Sequence, residues 1–162
     1  DVANDVAIAA VRFSMLKINP NKNVTFEWET NLSFTGATGP YLQYTSARAH
    51  SVLRKLAEDF GALADVPAED FPTDSAAEWD LASKRAAFDE IVAAALKERN
   101  PAPIARYALD AAGAFNTFYH DCPVLRADSD AQRNARAQLC KATAQVLANA
   151  LGILGIKALE RM

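Results

Sequence analysis

Residues 39–63, GPYLQYTSARAHSVLRKLAEDFGAL, constrain the fold of this chain more than any other stretch. Gly39-Pro40 opens the segment. Proline's fixed φ is already helical, and its missing N–H would go unused in a first turn. Gly61 supplies a stop, because glycine tolerates the left-handed backbone that ends many helices. With residues placed 100° apart, Leu42, Thr45, Ala49, Val52, Leu53, Leu56 and Phe60 share one face. That periodicity predicts an amphipathic helix with an apolar stripe. Tyr41, Tyr44, Arg48 and Lys55 lie on a neighbouring face. Tyrosine and arginine at i, i+4 commonly do no more than cover a helix surface. Rings interleaved with cations also suit a single-stranded nucleic-acid loop, whose bases stack and whose phosphates seek positive charge.

The 162 residues fit one domain, or one domain with an appendage. Half of them are apolar, enough for a real core, and six Gly and seven Pro beside many Ala and Leu favour helix over a β architecture. The formal charge of −3 does not announce a polyanion binder. Its distribution says more. Residues 64–100 hold nine acids against four bases, and the remainder holds eleven against thirteen. The acidic segment can therefore sit away from a nucleic-acid face. Cys122 and Cys140 form neither a disulfide framework nor a zinc spacing, and read as buried or half-buried thiols of a reducing compartment. No secretory signal opens the sequence and no apolar run reaches membrane-spanning length. Asn23-Val-Thr25 and Asn31-Leu-Ser33 are then chance matches to a glycosylation pattern.

In chain order, residues 1–18 predict a helix, with Val6, Ala9, Ala10, Phe13, Leu16 and Lys17 at helical spacing and Asn19-Pro20 ending it. Residues 19–23 make a turn, and 24–28 an extended or one-turn connector too short for a stable strand. Residues 64–75 carry two prolines and four acids without periodicity and read as a surface loop. Asp74 or Ser75 caps the next helix, with Glu78 at capping-box spacing from Ser75. That helix runs over 79–100, with Leu81, Phe88, Ile91, Val92, Ala95 and Leu96 inward. Asn100-Pro101-Ala102-Pro103 stops it and starts another over 104–120. The small residues Ala108, Ala111 and Ala112 allow close helix packing there. Residues 121–127 form a loop fixed by Pro123. Asp128 or Ser129 caps a long last helix whose stripe is Leu139, Ala142, Val146, Leu147, Ala150, Leu151 and Leu154; Gly155 ends it, and 157–162 are a tail. The sum is an all-α helix bundle: four or five core helices behind a helical lead-in.

Catalytic chemistry has little to stand on. His120-Asp121-Cys122 is the one place where three reactive side chains adjoin, and catalytic partners are neighbours in space rather than in sequence, so a structural turn is expected. Neither histidine has an acid three residues before it, as a di-iron bundle requires. Glycine-rich phosphate loops are absent.

Several strings resemble one family in order along nearly the whole chain. GPYLQYTSAR resembles the helix that opens the all-helical DALR anticodon-binding domain of arginyl-tRNA synthetases. Ala10-Val11-Arg12-Phe13 resembles that family's entry signature, although Ala9 stands where Asp is usual, and Val24-Thr25-Phe26-Glu27-Trp28 its acidic-aromatic connector. Ala114-Phe115-Asn116, Phe118-Tyr119 and Cys122-Pro123-Val124-Leu125 are similar to a central run. Ala135-Arg136 to Leu139, Val146-Leu147-Ala148-Asn149, Leu154-Gly155-Ile156 and Glu160-Arg161-Met162 resemble its last helix and end. The resemblance also implies a break near Ala87-Phe88, since relatives often place Pro after the matching Phe, although Asp89 stands there in this sequence.

The resemblance implies a class I synthetase anticodon-binding bundle over 39–162, with 1–38 as lead-in helix and connector from the catalytic body. Asp1, mid-helix and without Met, then reads as a boundary within a longer protein. The parent implied is an ATP-driven, cytoplasmic, monomeric arginine–tRNA ligase. Its ATP would sit on a catalytic domain whose His-Ile-Gly-His-like and Lys-Met-Ser-Lys-like signatures are not in this sequence, so this piece alone should be inactive and hold no cofactor or metal. The partner implied is the anticodon loop of tRNA-Arg, with neither DNA nor membrane. Tyr44 would stack on a base, Arg48 would stack or fork to a phosphate, and Met162 would offer an apolar side chain and a carboxylate. Val124, Leu125, Asn116 and Tyr119 could add walls. Gln43, His50, Lys55 and Lys141 are weaker candidates. A closing Glu160-Arg161-Met162 implies a docked tail. The alternative is a helical module that docks protein partners without RNA specificity.

Overall fold

The computed structural model describes residues 1–67, 71 and 75–162. Among these the chain forms seven helices and no strand. They are α1 (Val2–Leu16), α2 (Trp28–Asn31), α3 (Gly39–Phe60), α4 (Ala76–Ala86), α5 (Phe88–Glu98), α6 (Ala102–Asp121) and α7 (Asp130–Ile153). The all-α reading holds.

Most boundaries follow from capping chemistry. Thr38 caps α3, its hydroxyl accepting from the Tyr41 N–H. Gly61 closes α3 at φ 74°, in the left-handed region expected for it. Ser129 rather than Asp128 caps α7, accepting from Gln132 N–H. Ser75 caps α4 through the Ala77 N–H; the alternative, Asp74, lies outside the described residues. Glu78 does not complete a capping box. It is buried, and its Oε1 accepts a 2.6 Å bond from Arg136 Nε of α7. The buried guanidinium outcompetes a helix-end N–H for that carboxylate. Residues 24–27 have no regular structure and lead into the single turn of α2.

The long segment before residue 100 breaks at Ala87, separating α4 from α5. Phe88, Ile91 and Ala95 then face the core, and Leu96, one residue past Ala95 and so 100° away, is 78% exposed rather than inward. Phe60, also placed on an apolar face by periodicity, is 44% exposed at the last turn of α3. The Arg133 guanidinium covers it, 4.0 Å from the ring centroid.

α3 packs against α1, α6 and α7. One core cluster joins Ala9 and Phe13 of α1, Leu42, Ala95, residues 104–112 of α6, and Leu147 to Leu154 with Ile156. The second joins Ala49, Val52 and Leu56 to Leu81, Phe115, Phe118, Cys122, Val124, Leu139 and Cys140. Early residues of α3 and α6 thus pack with late residues of α7, which runs antiparallel to both. Each fully buried Leu or Phe contributes roughly 1.5–3 kcal/mol of transfer free energy. The α1–α3 crossing is so close that a Cβ at Gly39 would collide with the Ala9 carbonyl. Both cysteines are buried. Burial pushes the Cys140 thiol up to about 12.

Past α7, Gly155 takes φ 68° and residues 156–162 turn back over α1 and α3. Ile156 and Leu159 are buried. Gln43, fully buried and therefore no surface contact, donates from Nε2 to the Lys157 carbonyl at 2.9 Å. Lys157 reaches Asp5 at 2.8 Å and holds that carboxyl below the usual range. Arg12 donates to the Gly155 carbonyl. The expected docking of the tail is thereby built from specific contacts.

Candidate nucleic-acid interface

Regular helical spacing puts Tyr44, Ala47, Arg48, Ser51 and Arg54 of α3 along one edge of a cleft of about 570 Å³. Tyr119, at the end of α6, and Arg161 and Met162, from the returning tail, complete its walls. Tyr44, Tyr119 and Met162 are 40%, 43% and 47% exposed, so their apolar surfaces are open to a ligand. A second hollow of about 320 Å³ adjoins it, lined by Arg48, Ser51, Val52, Lys55, Tyr119, Pro123, Val124, Leu125 and Arg126. Arg48, Ser51 and Tyr119 belong to both and form the partition.

Arg48 is the hub of this surface. Its guanidinium carbon lies 4.7 Å from the Tyr44 ring centroid and 5.2 Å from that of Tyr119. Nη2 donates to the Tyr44 hydroxyl at 2.8 Å, and Nη1 to Asn116 Oδ1 at 3.0 Å. The Asn116 amide in turn donates to the Tyr41 hydroxyl at 2.8 Å. A planar cation between two phenol rings is held in orientation by Asn116 and the Tyr44 hydroxyl. Phe34 stands beyond Tyr44, ring centroids 6.4 Å apart, extending the aromatic surface.

The electrostatics differ from those of the whole chain. Arg48, Arg54, Lys55, Arg126 and Arg161 line the two hollows, and among the described residues no Asp or Glu does. A net charge of −3 thus coexists with a cationic site. The arrangement can stack unpaired bases on tyrosine faces or on the Arg48 plane, and can meet the phosphates between them.

Of the residues singled out from sequence, Tyr44, Arg48, Tyr119 and Met162 converge on the larger cleft, and Val124 and Leu125 on the smaller. Val124 is 5% exposed and mainly core, whereas Leu125 is half-buried. Asn116 lines neither hollow and instead orients Arg48. Lys55 edges the smaller hollow; His50 and Lys141 line neither. Arg54 and Arg126 are not among the residues singled out, and Arg161 is singled out only as part of the closing motif. Arg54 sits one residue from Lys55 on the same helix, so its position was legible, but not the tail that folds over it.

His120 and Asp121 point outward, joined at 2.6 Å, while Cys122 is buried against the Ser75 hydroxyl at 3.2 Å. Cys122 thus diverges from the other two, as a structural turn requires. Among the described residues no three His, Cys, Asp or Glu side chains cluster to hold a metal, and no helix is long and apolar enough to cross a membrane.

Comparisons with known proteins bear on the family and the fold. A family profile described as the DALR anticodon binding domain matches residues 42–162. An arginine–tRNA ligase of Clostridium botulinum is 39% identical over 162 residues, all of this chain and 28% of that protein. One from Methanopyrus kandleri is 38% identical over 161 residues, 99% of this chain and 26% of its own. Among solved structures, the arginyl-tRNA synthetase of Thermus thermophilus superposes with a TM-score of 0.88 at 39% identity, covering 99% of this chain and 27% of that one. That of Plasmodium falciparum gives 0.87 at 25% identity, covering 99% and 28%. The chain therefore spans little more than a quarter of the length of these relatives. On the family match, the whole-length alignment and the shared fold, this chain belongs to the DALR anticodon-binding domain family, in the form found within arginyl-tRNA synthetases.

Proposed function

We propose that this domain binds the anticodon loop of tRNA-Arg, with Tyr44, Arg48, Tyr119 and Met162 around the unstacked bases and Val124 and Leu125 walling the adjoining hollow. The observation that carries this reading is the Arg48 guanidinium between two exposed tyrosine rings, in a cleft that Arg54 and Arg161 also edge. Stacking faces accept any base, so affinity comes from rings and charge. Selectivity requires the polar edges that Arg48 and the tail backbone offer. The protein to which the domain belongs would be a monomeric, cytoplasmic class I ligase joining arginine to tRNA, its ATP held on a separate catalytic domain. A protein-docking role has no comparable feature behind it. Filter binding of this chain to tRNA-Arg, and to tRNA-Arg with a substituted anticodon, tests the reading. Preference for the native anticodon is expected; equal binding to unrelated tRNAs would overturn it.

A further inference from the structure

Residues 156–162 have no regular secondary structure, so individual side-chain contacts fix them. Ile156 and Leu159 are the apolar anchors. Beyond Leu159 one hydrogen bond holds the segment among the described residues: Arg54 Nη1 donates to the Glu160 carbonyl at 2.9 Å. The next two residues, Arg161 and Met162, are those that wall the cleft opposite Tyr44 and Tyr119.

We propose that Arg54 is a positioning residue for this cleft, fixing the backbone at Glu160 and thereby the wall that Met162 forms. The proposal rests on the anticodon-loop reading above. Without that bond the nearest anchor is Leu159, three residues before Met162. An extended chain of three residues reaches roughly 10 Å, enough to carry the methionine out of the cleft. Unstructured segments fray unless tied down. Arginine suits the task because its guanidinium presents five donors in a fixed fork. One nitrogen holds the carbonyl while the rest of the group still edges the cleft. The role is distinct from that of Arg48, whose partners are side chains of α3 and α6.

The test is a double-substitution cycle in tRNA-Arg binding, joined to a measurement on the free chain. Arg54→Ala should weaken binding about tenfold in the native background and less than about twofold beside Met162→Ala, as coupled neighbours do. The methyl NMR signal of Met162 in the free chain should sharpen and move toward its random-coil position. The melting temperature should stay within about 2 °C of the parent chain, a shift below about 1 kcal/mol for this size. Equal losses in both backgrounds would make Arg54 a direct contact. An unmoved methyl signal, or a larger fall in melting temperature, would also overturn the proposal. If the parent chain shows no preference for tRNA-Arg, the anticodon reading fails. The methyl signal then still decides whether Arg54 positions the tail.

Discussion

Arg48 of α3 and Asn116 of α6, 68 residues apart in sequence, are joined by a 3.0 Å hydrogen bond that helps set the plane of the guanidinium between Tyr44 and Tyr119. Arginine has many rotamers, and an exposed one seldom keeps a single plane. Here the asparagine is itself fixed by the Tyr41 hydroxyl, so the stacking surface is arranged before any ligand arrives.

Tyr44→Ala should weaken tRNA-Arg binding by about 1–3 kcal/mol, the usual worth of one base-stacking contact. The ring is 40% exposed, so thermal stability should hardly change. Filter binding and a melting curve on the same preparation check both. Native affinity in the variant would remove Tyr44 from the site.

Arg48→Ala should weaken binding and also flatten its salt dependence, reducing the slope of log K against log salt by about 0.7 if the guanidinium meets a phosphate of a single strand. A titration at four salt concentrations measures this. An unchanged slope beside lost affinity would assign Arg48 to stacking alone.

Arg136→Ala should destabilise the fold by about 3–5 kcal/mol, because it strands the Glu78 carboxylate, 3% exposed, without its cation. Replacing the pair with Glu78→Leu and Arg136→Met should cost less than the single change, since no buried charge is left behind. Arg136 also donates to the Pro123 carbonyl at 3.0 Å, so the loop carrying Val124 and Leu125 should loosen in either variant. Urea denaturation gives the stabilities, and amide exchange of residues 122–126 reports the loop.

Alkaline pH should destabilise the domain in a defined window. Burial raises the Cys140 thiol and the Tyr107 hydroxyl each to about 12 in the folded state. In the unfolded chain they ionise near about 8.5 and 10. Groups raised on folding contribute stability that is complete below the unfolded pKa and is lost as pH rises toward the folded one. Stability should therefore fall from about pH 8.5, with a slope of up to about 1.4 kcal/mol per pH unit for each group. Denaturation at pH 7, 9 and 10.5 tests the slope, and Cys140→Ala should remove its first part.

Local chemistry determined a good deal from the sequence alone. The stripe from Leu42 to Leu56, the stop at Gly61 and caps at Asp74 or Ser75 and at Asp128 or Ser129 follow from periodicity and side-chain hydrogen bonding, which act over a few residues; the choice of Ser129 over Asp128 came from the structure. The ordered motifs extended that reading to the family and to Tyr44 and Arg48 on one helix face. Tertiary structure decided where distant segments meet. Spacing offers Glu78 to a capping box, but α7 brings Arg136 beside it; Gln43 reads as a weaker contact candidate, but α1 and the tail cover it. Leu96 and Phe60 obeyed helical spacing yet lie outside, because packing uses only as much of a stripe as the neighbouring helices cover. Nor could spacing show that Asn116 faces Arg48 or that Glu160 passes over Arg54. Those contacts cross 68 and 106 residues. They depend on α3, α6 and the tail being brought together by a core shared across the whole chain.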